Sequence, residues 1–271
     1  MSLIFKEEGH VYQSIDPNED IDWTSVTSLV GKFKPPFDTI GISEKCSKNK
    51  RSKWYGLTPK AIRDIWQKEN NRATTLGSFY HNAREADLMA CDTLTKEGIE
   101  LPIIPPKILD GIKYAPEQKL ISGVYPEHFA YLKSAKICGQ ADYVEVVNKY
   151  INILDYKTNK EIKENGFTNW EGITSMLNAP ISHIEDCNLQ HYTLQMSIYM
   201  YIMLKHNPRL KPGKLTLQHV LFEKEGEDKY GYPITKYNDN GDPVVKEIVT
   251  YEVPYLKEEV LSMINWLKDQ N

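Results

Sequence analysis

The chain has 271 residues, 41% of them hydrophobic and 11% aromatic, enough to bury a substantial core, and its length falls between one large domain and two small ones. A formal net charge of -4 excludes a protein drawn to nucleic acid by overall charge, so any such contact has to come from a local groove. The four cysteines, Cys46, Cys91, Cys138 and Cys187, form no CxxC pair, which removes the usual spacing of a zinc site and reads as free thiols in a reducing compartment.

In chain order, the start "MSLIFKEEGHVYQ" lacks the basic residues, apolar block and cleavage site of an export signal, so a cytoplasmic, non-secreted protein is expected. "IDWTSVTSLVGKFKPPFD" predicts a short helix opened by a Ser or Thr cap and stopped by Pro35-Pro36. In "LTPKAIRDIWQKEN", Thr58 can cap, Pro59 suits the first helical position, and Ile62, Ile65 and Trp66 follow at helical spacing. A second long helix is expected from about Thr75 to Lys96, ending near Gly98. Residues 99–126 carry five prolines and read as a loop-rich connection.

From about Phe129 the hydrophobic period becomes two. "KICGQADYVEVV" and "YINILDYKT" flank Asn148-Lys149 and predict a hairpin. A polar stretch, 158–187, precedes a helix from about Leu189 to Lys205. Its apolar block, Leu194 to Leu204, includes Gln195 and Ser197 and falls well short of the roughly 18 residues of a membrane span. "KLTLQHVLFE" and "VVKEIVTYEVPY" predict two further strands around the turn-rich segment 225–243, and "LKEEVLSMINWLKD" a closing amphipathic helix. This order implies one unit over 1–271, an α/β or α+β sheet with helices packed on it. It divides into an N-terminal helical part (1–74), a core (75–222) and C-terminal strands with a helix (223–271).

The charges in "ILDYKTNK" are the chemical signal. Strand periodicity puts Asp155 and Lys157 on one face, and a hairpin turning about Asn148-Lys149 sets Val147 opposite Tyr150 and, further along, Asp142 opposite Asp155. Two facing carboxylates destabilise a strand pair, unless a hard divalent cation between them reverses the sign of the interaction. Lys157 then stands beside such an ion, able to neutralise a phosphate. The plainer alternative is an ion pair at a strand end with Asp142 solvated.

"GQAD" followed by "ILDYKTNK" resembles the core motif of the PD-(D/E)xK nucleases in the form of their RecB-like branch, the group of lambda exonuclease and the mitochondrial genome maintenance exonuclease. "LGSFYHNARE" is similar to the branch's G-x-x-x-H-x-x-x-E helix, with Gly77, His81 and Glu85, and "LQMSIY" to its Q-x-x-x-Y helix, with Gln195 and Tyr199. "SVTSLV" ahead of "LTPKAIRDIW" resembles the N-terminal pattern of viral, phage and mitochondrial members, so that the likeness covers roughly 24–222. It implies a restriction-endonuclease-like core: a central mixed β-sheet flanked by helices.

By the same resemblance, Asp142, Asp155 and Lys157 are catalytic. The metal ligands are Asp142, Asp155, the Tyr156 backbone carbonyl and His81, an imidazole that suits Mn²⁺, with Glu85 holding a bound water or orienting His81. Gln195 and Tyr199 either position nucleic acid or make a structural hydrogen bond in the core, and Glu127 in "YPEHFAY" loosely matches an acid found ahead of the core strands. The implied activity is Mg²⁺- or Mn²⁺-dependent hydrolysis of DNA, single-stranded or free-ended, in an exonuclease of recombination, repair or phage DNA processing. Recombination, replication or single-strand-binding proteins are the compatible partners. A structure-selective endonuclease and a non-catalytic DNA-binding scaffold are the alternatives. The late cysteine group of iron-sulfur members and the GxxxxGK[ST] phosphate loop are both missing, so neither an iron-sulfur cluster nor a nucleotide is expected.

Overall fold

The computed structural model describes residues 3–6, 11–16, 18–19 and 21–270; part of the stretch read for an export signal lies outside them. The central layer is a mixed sheet. Its spine is a hairpin of β9 (Ile137–Val147) and β10 (Tyr150–Lys157), preceded by β8 (Gly123–Leu132), which runs antiparallel along one edge of β9. On its other side β10 pairs in parallel with β11 (Lys211–Phe222), which in turn pairs antiparallel with β14 (Val245–Val253). A two-residue strand, β3 (Thr24–Ser25), joins β9 at Ile137 and Cys138, on the edge that β10 has left.

Parallel neighbours need a crossover. It is supplied by residues 158–187 and helix α4 (Asn188–His206), whose buried run from Thr193 to Met203 covers the sheet. Against α4 pack α1 (Val26–Gly31) and the closing helix α5 (Lys257–Asp269). Ser25 caps α1 by accepting the Ser28 N–H at 3.0 Å, as the sequence signal predicts, and the helix ends well before Pro35. Its Val26, Leu29 and Val30, with Phe33 beyond, join Leu194, Ile198, Ile202, Val260 and Ile264 in the main core. Segment 158–187 is less polar in function than in composition, because Leu177, Ile181, Ile184 and Cys187 are buried under it.

Several expectations change. The two helices expected on either side of residue 74 are one, α3 (Pro59–Met89), capped by Thr58 as predicted. No Gly or Pro interrupts the junction, and Thr74 and Thr75 bond their hydroxyls back to the carbonyls of Asn70 and Asn71. This helix stops before Lys96, because Glu97 and Gly98, both at positive φ, form the turn of a hairpin between β4 (Thr93–Lys96) and β5 (Ile99–Pro102). Gly98 is therefore a turn residue, not a helix cap.

About half of the connection 99–126 is strand, the rest loop as expected. Asp110-Gly111, again both at positive φ, joins β6 (Lys107–Leu109) to β7 (Ile112–Tyr114). The N-terminal part is not only helical either: β1 (Leu3–Lys6) pairs with β2 (Val11–Ser14) on one side and with β7 on the other in a second sheet ordered β2-β1-β7-β6, whose Leu3 and Phe5 pack on Phe129 of β8. Residues 37–48, given no element above, contain α2 (Thr39–Lys48), whose cap Asp38 accepts the Gly41 N–H at 2.8 Å. In segment 225–243 a small hairpin forms from β12 (Lys224–Glu227) and β13 (Pro233–Thr235).

Candidate active site

The site lies where β9 and β10 part. Their ladder follows the predicted register, from Tyr150 opposite Val147 to Leu154 opposite Tyr143. The turn Asn148-Lys149 has both residues at positive φ, so it adopts the geometry of an Asn-Gly hairpin without the glycine. One step beyond the last pair, the ladder gives way to side chains. Asp142 Oδ2 accepts the Tyr156 N–H at 2.8 Å, and His81 Nε2 stands 3.1 Å from the Tyr156 carbonyl oxygen. The backbone groups that a splayed strand would leave unpaired are thus taken up by two of the predicted site residues.

Helices α3 and α4 reach β10 from opposite faces. On one, Tyr80 and Phe222 close around Tyr156. On the other, Lys157 lies over the ring of Tyr192, with its ammonium 4.9 Å from the ring centre. Asn159 is pinned twice, by the Tyr192 hydroxyl at 2.7 Å and by His219 at its carbonyl, 2.6 Å away, so the chain leaving Lys157 is fixed in place. Gly77 earns its place in the helix motif by close approach, since a Cβ there would stand 3.2 Å from Thr158 Oγ1.

These elements enclose a cavity of about 660 Å³, lined among others by His81, Glu85, Lys113, Glu127, Asp142, Tyr156, Lys157, Gln195 and Tyr199. Asp155 is buried behind this wall and ion-paired with Lys157. His81 Nδ1 is 3.3 Å from Asp142 Oδ1. Both ring nitrogens of His81 therefore face oxygen acceptors. Burial alone would lower its pKa, but the hydrogen bond and charge of Asp142 outweigh burial and leave it raised. Burial would raise the Asp142 carboxyl, yet His81, Lys157 and the Tyr156 N–H hold it below the usual range. Asp155 goes the other way: burial, helped by the Asp142 charge, pushes it up to about 6 against the pull of Lys157. The Lys157 ammonium, which burial disfavours, is kept charged by Asp155 and Asp142.

Neither family models nor curated proteins nor solved structures match the chain.

Of the predicted ligands, His81 and Asp142 come together, but the third member of the cluster is Glu127 and not Asp155. One ligand atom from each of His81, Glu127 and Asp142 lies within 4.8 Å of the others. Asp155 faces Lys157 because a buried carboxylate needs a cation, and the nearest is two residues away on its own strand. Glu127 was the weakest match in the sequence. It reaches the cluster through its backbone, which takes the left-handed region at φ 46° between two regular pairs of the β8–β9 ladder. Such a conformation in a non-glycine residue costs about 1–3 kcal/mol and is characteristic of functional sites. Burial, then the Asp142 charge, pushes its carboxyl up to about 7 in spite of Lys113.

Glu85 turns to Lys113, whose Nζ is 3.6 Å from its Oε1, and that buried oxygen has no hydrogen-bond partner. Nothing in the sequence singles out Lys113, because "ILDGIKYAP" lies in the proline-rich connection and a single lysine there carries no signal. Gln195 and Tyr199 both line the cavity, with the Tyr199 hydroxyl beside the Gln195 amide and fully buried.

The donor set suits a hard or borderline divalent cation. It offers two carboxylates, an imidazole and a backbone carbonyl at one end of a polar cavity, with the unsatisfied Glu85 oxygen close by.

Proposed function

We propose that the chain is a metal-dependent nuclease of the PD-(D/E)xK type, built on a restriction-endonuclease-like core and hydrolysing DNA phosphodiester bonds, most readily in single-stranded or free-ended DNA. One observation carries this reading. His81 from α3, Asp142 from β9 and the Asp155-Lys157 pair from β10 meet at one cavity, although 76 residues separate the first from the last. A sheet whose hairpin presents Asp142, Asp155 and Lys157 together, with His81 brought to it by α3, supports the core expected of that superfamily.

The roles follow from the geometry. His81, Asp142, Glu127 and the Tyr156 carbonyl would hold Mg²⁺ or Mn²⁺, which supplies Lewis acidity to a phosphate and acidity to a water. Lys157 carries a positive charge held in place by Asp155 and the Tyr192 ring, so it meets developing negative charge on the phosphate without having to reorganise. Asp155 acts mainly by fixing Lys157 and keeping it protonated. Gln195 and Tyr199 form the α4 wall against which a nucleotide would rest.

The test uses end-labelled single-stranded DNA with Mg²⁺ or Mn²⁺. Degradation is expected, with none in chelator. Lys157→Ala and Asp155→Asn should each lower the rate at least about 100-fold while circular dichroism stays native. Full rates in both variants would move the chemistry elsewhere. Linear, 5′-blocked, 3′-blocked and circular substrates then separate end-dependent from internal cutting.

A further inference from the structure

The cavity holds a cation that the nuclease reading does not use. Lys113, from β7 of the N-terminal sheet, has a side chain only 8% exposed, and its Nζ lies 2.9 Å from Gln140 Oε1, 3.6 Å from Glu85 Oε1 and 3.9 Å from Glu127 Oε2. Its position is fixed by pairing on both sides, with Phe5 of β1 opposite and Ile108 of β6 on the other edge.

An ammonium buried among carboxylates neutralises them as a metal ion would. Two-metal phosphodiesterase sites place their ions roughly 3.5–4 Å apart. Glu127 here stands between the His81-Asp142 side and Lys113, where a carboxylate shared by two cations would be. The charges give the same answer. Glu85, Glu127, Asp142 and Asp155 bring four negative charges when ionised, and Lys113 and Lys157 return two, so one divalent ion makes the set neutral before His81 is counted. A second ion would leave it positive and would have to displace a lysine.

We propose that the Lys113 ammonium stands in the place of a second metal ion, so that the site takes one divalent cation and the N-terminal sheet completes it. This rests on the nuclease reading of the same cavity, and the test separates the two. Mn²⁺ alone, without nucleic acid, is titrated into the full chain on the alkaline side of the Glu127 range, and bound ions are counted by electron paramagnetic resonance. Wild type should bind one ion per chain, Lys113→Met two, and Lys113→Met combined with Glu85→Gln one again. Two ions in wild type would overturn the proposal and leave the nuclease reading standing. So would a single ion in a natively folded Lys113→Met. No bound ion in folded wild type would remove both.

Discussion

Gly139, the first residue of "GQAD", shows how a single position carries the site. It lies on β9 facing α4, and a Cβ built there would come 2.9 Å from Tyr199 Oη, 3.0 Å from its Cε1 and 3.3 Å from Val26 Cγ2. Tyr199 is only 3% exposed and can give way only toward the cavity that it lines. Gly139→Ala should therefore cost about 1–3 kcal/mol by overpacking, and should displace Tyr199 from the cavity wall with a fall in nuclease rate. Urea unfolding measures the first effect. A variant as stable as wild type would mean that β9 and α4 are not so closely apposed. Residues of this kind were legible as motif members, as were Asp142, Asp155, Lys157 and His81, because chemistry restricts them to few residue types. Glu127 is legible only as a loose match, and Lys113 not at all, because what brings them to the site is a backbone conformation and a strand pairing that their neighbours do not announce.

Elements were legible in proportion to how local their causes are. The caps act within three residues, and the sequence points to Thr58 by name and to a Ser or Thr for the residue that proves to be Ser25; the β9–β10 register follows from the turn at Asn148-Lys149 together with alternation. What failed were the short hairpins. Glu97-Gly98 and Asp110-Gly111 are turn signals in hindsight, but strands of three or four residues are too short for alternation to establish them. The central hairpin offers a test of the same physics. Lys149 sits at φ 68° without being glycine, a conformation that costs an L-residue about 1 kcal/mol or more. Lys149→Gly removes that cost and gives part of it back as unfolded-chain entropy. The expected net gain is about 0.5 kcal/mol in chemical denaturation, with metal binding unchanged. A loss of stability would show that the Lys149 side chain contributes more than its backbone costs.

For the whole molecule, the site gathers like charges that folding must tolerate. Its signature is the pH dependence of stability without metal. Glu127, raised to about 7 in the folded chain, binds its proton more tightly there than when unfolded, so its contribution is present at low pH and is lost as pH rises through about 7. His81, also raised, acts in the same direction above its ordinary value of 6.5. Asp142 is depressed, so its contribution is lost only below the ordinary carboxylate range, and Lys157 titrates far above neutrality. Burial lowers His128, to about 4, and also His191, and both oppose the trend until the imidazoles of the unfolded chain have lost their protons, about a pH unit above 6.5. Between about pH 6.5 and 8 Glu127 alone contributes a fall on the order of 1 kcal/mol, which comparison with Glu127→Gln isolates from the histidines. Mn²⁺ binds the deprotonated groups, so its stabilisation should grow over the same interval. Glu127→Gln should flatten the metal-free slope, because an amide neither titrates there nor repels Asp142. Thermal unfolding of both proteins, with chelator and with Mn²⁺, measures all three effects. An unchanged slope in Glu127→Gln would mean that this carboxyl is not held above its normal value.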